Sequence, residues 1–396
     1  MRSEVFQTPR LDELELAVLG LIAELRQEMS HRVAEPRRWS GGLRRMSEAR
    51  AVQASNSIEG YNATLDDVIA VQDGDEPVDA DTETQRALEG YQEAMTYVLQ
   101  ATQDAELDVD EGLLRALHFM MLKHDLTKNP GRWRPGAIHV ERTGTGEIVY
   151  EGPDADQVPA LVTTALQDLE QSDAPVLVKA AMAHLNLVMI HPFSDGNGRM
   201  ARCLQTLVLA RERIVAPVFS SIEEYLGRNT QAYYDALADV GKGSWHPESD
   251  ARPWLHFCLT AHYRQAGTLL RRVQAFEEMW AVTGRIVSER RLPERTVGPI
   301  AEAAYGQRIK RATYLRSVEI TWGERVADLT ASRDLRAIVN AGLFIPIGGT
   351  RGRYYLATDE LKAEWEKVRA KWSRRPETDD PFEIAAARAQ LALEIS

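Results

Sequence analysis

The feature that most restricts what this chain can fold into is a break between two helices near its middle. Val176–Ile190 is an apolar run with helical patterning, and it stops at His191 because Pro192 disfavours helical geometry in the residue before it. Asp195-Gly196-Asn197-Gly198 is then a loop that opens the next helix, Gly196–Arg211. The two glycines let backbone N–H groups turn toward a ligand, and a helix N-terminus adds partial positive charge. Together they make an anion site suited to phosphates.

The side chains around that loop sharpen the reading. Arg199 and Arg202 are three apart, share one face of the helix and can reach the same oligophosphate. Asp195 lies beside the loop, where a carboxylate can hold Mg²⁺. His191 is the one group there that titrates near neutral pH, so it is the natural general base. A base, a metal ligand, an anion loop and two Arg within residues 191–202 describe a site for nucleotide-phosphate transfer.

The rest of the chain reads mainly as helices. Leu11–Ser30, Leu43–Ile58, Thr82–Thr102 and Val109–His124 come first, with Glu35–Gly42 and Asp73–Asp81 as connections. Ala137–Val140 and Ile148–Tyr150 form a hairpin signal around Thr143-Gly144-Thr145-Gly146-Glu147. Helices resume over Gln157–Gln171, Ile222–Ala238 and Pro253–Val282. From Thr283 the balance of charge changes. Residues 285–356 carry 13 Arg and Lys against 7 Asp and Glu, in a chain whose net charge is −12. There a short helix, Trp322–Leu329, precedes a helix over Ala331–Asn340 capped by Thr330, and the strands Phe344–Ile347 and Arg353–Leu356 follow. Asp359–Trp372 reads as a helix, and the charged tail after Arg374 as loosely held.

Composition excludes several classes. A length of 396 residues allows two or three domains. The acidic balance argues against a protein whose whole face coats nucleic acid or anionic lipid. Cys203 and Cys258 form no CxxC pair, so no Cys-based zinc site or thioredoxin-type motif is expected. Met1–Arg10 is polar and no run approaches the length of a membrane span, which makes the cytoplasm the expected location.

The stretch His191-Pro192-Phe193-Ser194-Asp195-Gly196-Asn197-Gly198-Arg199-Met200-Ala201-Arg202 resembles the Fic family signature at every fixed position. The Gly131-Arg132-Trp133-Arg134 turn, the hairpin and the Tyr233-Tyr234 helix fit as well, so the resemblance covers about residues 43–260. It implies a mainly α fold: a helical core with a β-hairpin flap. It also implies AMP transfer from ATP to a Tyr, Thr or Ser hydroxyl of a protein. His191 would take the hydroxyl proton, Asp195 would bind Mg²⁺, and Gly196, Asn197 and Gly198 would cradle phosphates. Arg199 and Arg202 would contact the β- and γ-phosphates, Phe193 would anchor the motif, and Asn229 and Tyr233 would line the adenosine pocket. The flap, residues 137–150, would hold the target by its exposed strand edge.

Ser55-Asn56-Ser57-Ile58-Glu59-Gly60 is similar to the family's inhibitory motif. A carboxylate at a helix C-terminus opposes the macrodipole, which a partner Arg would offset. The resemblance makes Arg202 that partner, with Ser55 and Glu59 in the key places, and puts the chain in the class whose inhibitory helix precedes the active site. Residues 283–358 resemble a winged helix with 330–339 as recognition helix and Arg333, Arg336, Arg351 and Arg353 available to DNA or a protein partner. The expected organisation is an N-terminal helical region (1–42), the Fic domain with its inhibitory helix (43–282), the winged helix (283–358), and a helix with its tail (359–396). DeAMPylation, another nucleotide, or a nucleotide-sensing transcription regulator stay open as alternatives, as does a homodimer.

Overall fold

The computed structural model describes residues 4–33, 37–103, 107–141, 144–211, 221–349, 352–372 and 379–395. The helix built on the apolar run, α7 (Val176–Ile190), lies at the centre, with 12 of its 15 residues buried. Its neighbour α8 (Asn197–Arg211) is as deeply buried, and the two helices pack side by side. Around them stand α1 (Glu13–Val33), α2 (Ser40–Ile58), α3 (Leu65–Gln72), α4 (Thr82–Ala101), α5 (Glu111–Leu122) and α6 (Val158–Gln171). A hairpin of β1 (His139–Glu141) and β2 (Ile148–Glu151) projects between α5 and α6 in the chain, with an irregular register between Val140 and Glu141.

The expected helix over 222–238 is two helices, α9 (Glu223–Arg228) and α10 (Thr230–Gly241). Asn229 breaks it with non-helical backbone, and its amide donates to the Tyr225 carbonyl at 2.8 Å. The helix expected to end at Val282 runs on as α11 (Arg252–Glu289), 38 residues long. Beyond Val282, Thr283 is buried and donates its hydroxyl to the Met279 carbonyl, while Gly284 faces open space. This helix threads two large cores and, between them, a smaller cluster of Leu269, Leu270, Val273 and Phe276 with Met29, Trp39, Leu43 and Met46. Trp254, Leu255 and Cys258 belong to the first, and Met279 and Val287 to the second.

The second core is built by α12 (Val297–Ala304), α13 (Arg311–Trp322), α14 (Asp328–Asn340), the hairpin β3 (Phe344–Ile347) and β4 (Tyr354–Ala357), and α15 (Asp359–Trp372). Ile309 and Tyr355 exchange backbone hydrogen bonds of 2.9 Å and extend the hairpin by one bridge. The short helix expected at 322–329 does not form: α13 ends at Trp322, where Gly323 takes φ +79, and residues 323–327 connect it to the next helix. The next helix starts at Asp328, before Thr330, and no side chain caps it. Asp334 docks it: the Tyr314 hydroxyl donates to the carboxylate at 2.6 Å, and Arg295 does so twice, at 2.7 and 2.9 Å. Arg333, Arg336 and Arg353 are exposed, and Arg351 lies outside the described residues.

The tail is a further correction. Within it α16 (Pro381–Ile395) packs against α1, with Ala385 buried and the Phe382 ring 4.3 Å from that of His256. Its net charge concealed an apolar side. The stretch read as a connection at 35–42 also differs, since α2 already begins at Ser40. A Cβ on Gly41 would stand 2.3 Å from Ile320, so that glycine permits the close approach of α13.

The start of α2 is thereby wedged between the two cores. Arg45 pairs at 3.2 Å with both Asp73 and Glu302, and all three side chains are almost fully buried. Removing one partner of a buried ion network leaves uncompensated charge. Arg45→Met is therefore expected to cost about 3–5 kcal/mol, read by urea unfolding at pH 7.

Candidate active site

The base of the site is the break after α7. His191 caps that helix with left-handed backbone (φ +52), a conformation the following proline leaves open to it. Its Nδ1 lies 3.0 Å from the Val188 carbonyl and so carries the proton, which leaves Nε2 with a lone pair. Burial pushes the ring below the ordinary histidine value, although Glu59 and Asp195 oppose the shift. A neutral imidazole is what a proton acceptor needs. A reaction that uses it as base is expected to lose rate only as pH falls through a point below 6.5, with a level profile above, which a pH–rate series would read.

The loop is held by its own side chains. Phe193 N–H donates to the Asn197 side-chain oxygen at 2.9 Å, and the Asn197 amide donates to the Phe193 carbonyl at 2.8 Å. Asn197 is thus a clamp whose side chain is spent within the loop. Phe193 is fully buried, stacked on His118 with ring centroids 3.8 Å apart and tilted against Trp133. Gly196 takes φ +74, and a Cβ there would stand 3.1 Å from Leu122.

Two guanidinium groups line the loop. Arg199 and Arg202 are each 1 % exposed, yet among the described residues Nε and Nη1 of Arg199 and Nη1 of Arg202 find no hydrogen-bond partner. The Tyr61 ring covers Arg199 at 5.1 Å. Arg202 donates to the Ser55 hydroxyl at 2.7 Å, the Ser55 carbonyl at 2.9 Å and the Glu59 carboxylate at 2.7 Å. Glu59 also presses on the anion loop, since a Cβ on Gly198 would stand 2.4 Å from its Oε1. A carboxylate therefore sits where the loop and Arg202 present positive charge.

Asp195 is half-buried. Its Oδ1 accepts from Gly196 N–H at 2.6 Å, and its Oδ2 pairs with Lys128 at 2.5 Å. Burial alone would raise its pKa, but Lys128, Arg199 and the Gly196 N–H together hold the carboxyl below the usual range. Among the described residues no three His, Cys, Asp or Glu side chains cluster as a metal cage. A single ionised carboxylate bearing a cation suits Mg²⁺, which keeps most of its ligands from water and phosphate.

The sequence profile of the Fic/DOC family matches residues 108–209, from the approach to α5 into α8. This chain carries a Fic/DOC domain. Protein adenylyltransferase fic-1 of Caenorhabditis elegans is 26% identical to it over 258 residues, 63% of this chain and 49% of that protein. Protein adenylyltransferase Fic of Nematostella vectensis is 28% identical over 255 residues, covering 60% and 55% of the two chains. The chain thus spans about half the length of these curated relatives. A Fic family protein from Desulfovibrio desulfuricans G20 superposes with a TM-score of 0.57 at 22% identity, over 89% of this chain and 99% of that one. The C. elegans Fic-1 structure, residues 134–508, gives 0.53 at 21%, over 65% and 72%. At such identity these structures speak for the fold.

The Fic domain brings His191, Asp195, Gly196, Gly198, Arg199 and Arg202 around one loop, with Glu59 and Ser55 delivered from outside the matched segment. Tyr233 is 1 % exposed, with its hydroxyl 3.1 Å from His184 Nε2 and in the field of Arg202 and Glu59. The next residue, Tyr234, is exposed and reaches the Ile58 carbonyl at 3.4 Å, beside Glu59. Asn229 lies half-buried at the α9–α10 junction.

Sequence reasoning passed over two supports. His118 accepts from Gly131 N–H at 2.8 Å and donates from Nε2 to the Asp195 carbonyl at 2.9 Å, which fixes its tautomer; burial lowers its pKa to about 4. Arg134 donates to the His191 carbonyl at 2.9 Å, to Gly136 at 2.6 Å and to Pro153, tying the catalytic loop to the base of the hairpin.

Proposed function

We propose that this chain transfers AMP from ATP to a protein hydroxyl and that Glu59 holds the site silent. The observation that carries the reading is the pair of buried Arg side chains, with unfilled N–H donors, facing an anion loop already occupied by a carboxylate. Buried guanidinium donors without partners are costly, and an oligophosphate would satisfy them. The adenylyltransferase relatives support the choice of nucleotide and reaction.

In this reading His191 Nε2 takes the proton of the target hydroxyl as its oxygen forms a bond to the α-phosphorus. The bond from that phosphorus to the bridging oxygen breaks, and pyrophosphate leaves. Arg199 and Arg202 offset the charge that gathers on the β- and γ-phosphates. The Gly196–Gly198 backbone orients the phosphates, while Asn197 keeps the loop in shape. Mg²⁺ bound with the nucleotide would add positive charge between the phosphates, with Asp195 as its protein ligand. Arg134 and His118 position, without touching the reacting atoms.

Among the described residues β1 pairs only with β2, whereas Glu151 of β2 also bridges to Ser244. The outer edge of β1 is therefore where an extended target segment would add. The C-terminal unit serves in this reading as a contact module, with Arg333, Arg336 and Arg353 as its basic face. The test is transfer of label from α-labelled ATP to protein in lysate, with wild type, Glu59→Gly and Glu59→Gly/His191→Ala compared. Label in the single variant that disappears in the double variant supports the reading; silence in all three overturns it.

A further inference from the structure

We propose that Lys128 is a built-in counter-ion that occupies the divalent-cation position at Asp195, so that a metal must displace it, and that Lys128 thereby sets the cation affinity of the site. This rests on the proposed role of Asp195. Both carboxylate oxygens are already taken, Oδ1 by the loop's own N–H and Oδ2 by the Lys128 ammonium at 2.5 Å. The two side chains are about equally open to solvent, so a cation reaching Asp195 competes directly with the ammonium.

The pairing is positioned by structure. Lys128 ends a 3-10 turn, Leu126–Lys128, which Asp125 caps by accepting from Thr127 N–H at 3.0 Å and from the Thr127 hydroxyl at 2.6 Å. Asn129 then turns the chain with φ +51, and Gly131 N–H meets His118 Nδ1. The other nitrogen of the same His118 ring holds the Asp195 carbonyl. One buried ring therefore registers the turn that carries the lysine against the loop that carries the carboxylate.

Lys128 also interacts with the Tyr61 hydroxyl, and the Tyr61 ring covers Arg199. Tyr61 follows Glu59 by two residues, after the Gly60 turn. The segment that brings Glu59 to Arg202 thus also covers the second Arg. On this account the silent state blocks the γ-phosphate side and the cation side together.

The test is cation binding, independent of turnover. Full-length Glu59→Gly protein would be titrated with Mn²⁺ in the presence of α,β-methylene ATP, which cannot yield AMP, and free Mn²⁺ followed by electron paramagnetic resonance. Adding Lys128→Met should tighten Mn²⁺ by roughly tenfold, as expected for removing one competing charge at a half-exposed carboxylate. Lys128→Arg should keep the parent affinity, and Asp195→Asn should lose the site. Unchanged Mn²⁺ affinity in Lys128→Met overturns the proposal. So does weaker analogue binding in that variant, which would make Lys128 a phosphate ligand; AMP transfer by Glu59→Gly would survive either result. Failure of Glu59→Gly itself to bind the analogue removes the transferase reading, and this proposal with it.

Discussion

Glu59→Gly protein is expected to transfer AMP at least 10- to 100-fold faster than wild type, a difference of about 1.4–2.8 kcal/mol in barrier. The contact to be lost is specific. Glu59 takes one Arg202 donor at 2.7 Å and fills the space above Gly198. The two bonds from Arg202 to Ser55 remain, so the guanidinium keeps its orientation when the carboxylate goes. The same variant leaves a buried cation short of a partner and should lose roughly 1–3 kcal/mol of stability without ligand. A nucleotide analogue should return it, because phosphate oxygens replace the carboxylate. Denaturation with and without analogue, beside initial rates of label transfer, would read both effects. Equal rates in the two proteins would remove Glu59 as the inhibitory group.

His191→Ala in the Glu59→Gly background is expected to lower transfer by about 10²–10⁴-fold. The effect should fall on turnover and not on nucleotide affinity. Under the proposed function the phosphates would be met by the loop and the two Arg, none of which depends on the imidazole. The left-handed backbone of position 191 adds little to the stability change, since histidine and alanine both carry the Cβ that this conformation strains. Analogue binding by this variant is thus the control that separates lost chemistry from lost folding. Tight binding without turnover assigns the proton transfer to His191. Retained turnover would pass that role to another group.

How much of this could be read beforehand differs between the loop and its surroundings. The break at Pro192, the glycines and the two Arg are local features, and their consequences are local too. The pairing of Glu59 with Arg202 spans 143 positions and was legible only through resemblance of the Ser55–Gly60 segment. His118 and Arg134 act across 77 and 57 positions; the turn that holds Arg134 is legible through resemblance but its role is not, and nothing near His118 marks it apart from an ordinary core residue. Tyr233 and Tyr234 show the limit of spacing arguments. Neighbours on a helix point about 100° apart, so one enters the core and the other stays outside. Helical extent was misread where a glycine faced solvent, as in α11, and where charge hid a narrow apolar side, as in α16. The C-terminal hairpin and its preceding helix were visible, but the partner of that helix was misplaced because Gly323, the true stop, was passed over.

The seating of α2 has a mechanical consequence. The helix is a beam clamped at two points. Its first turns are pinned by the Arg45 ion network, and further along Ala54 lies against Gly227, where an added Cβ would stand 2.7 Å away. Just beyond the second clamp Ser55 is held by two bonds from Arg202, so only the last turn overhangs, about 6 Å of rise between Ser55 and Glu59. A beam held in this way passes little deflection to its tip, so movement of the far unit is damped before it reaches Glu59. The overhang ends at Gly60, whose left-handed turn needs no side chain to give way. It can fray on the sub-microsecond timescale of helix ends. Under the proposed function, the brake would act as a rapidly reversible competition between one carboxylate and arriving phosphate, governed by nucleotide concentration, and not as a latch thrown from a distance.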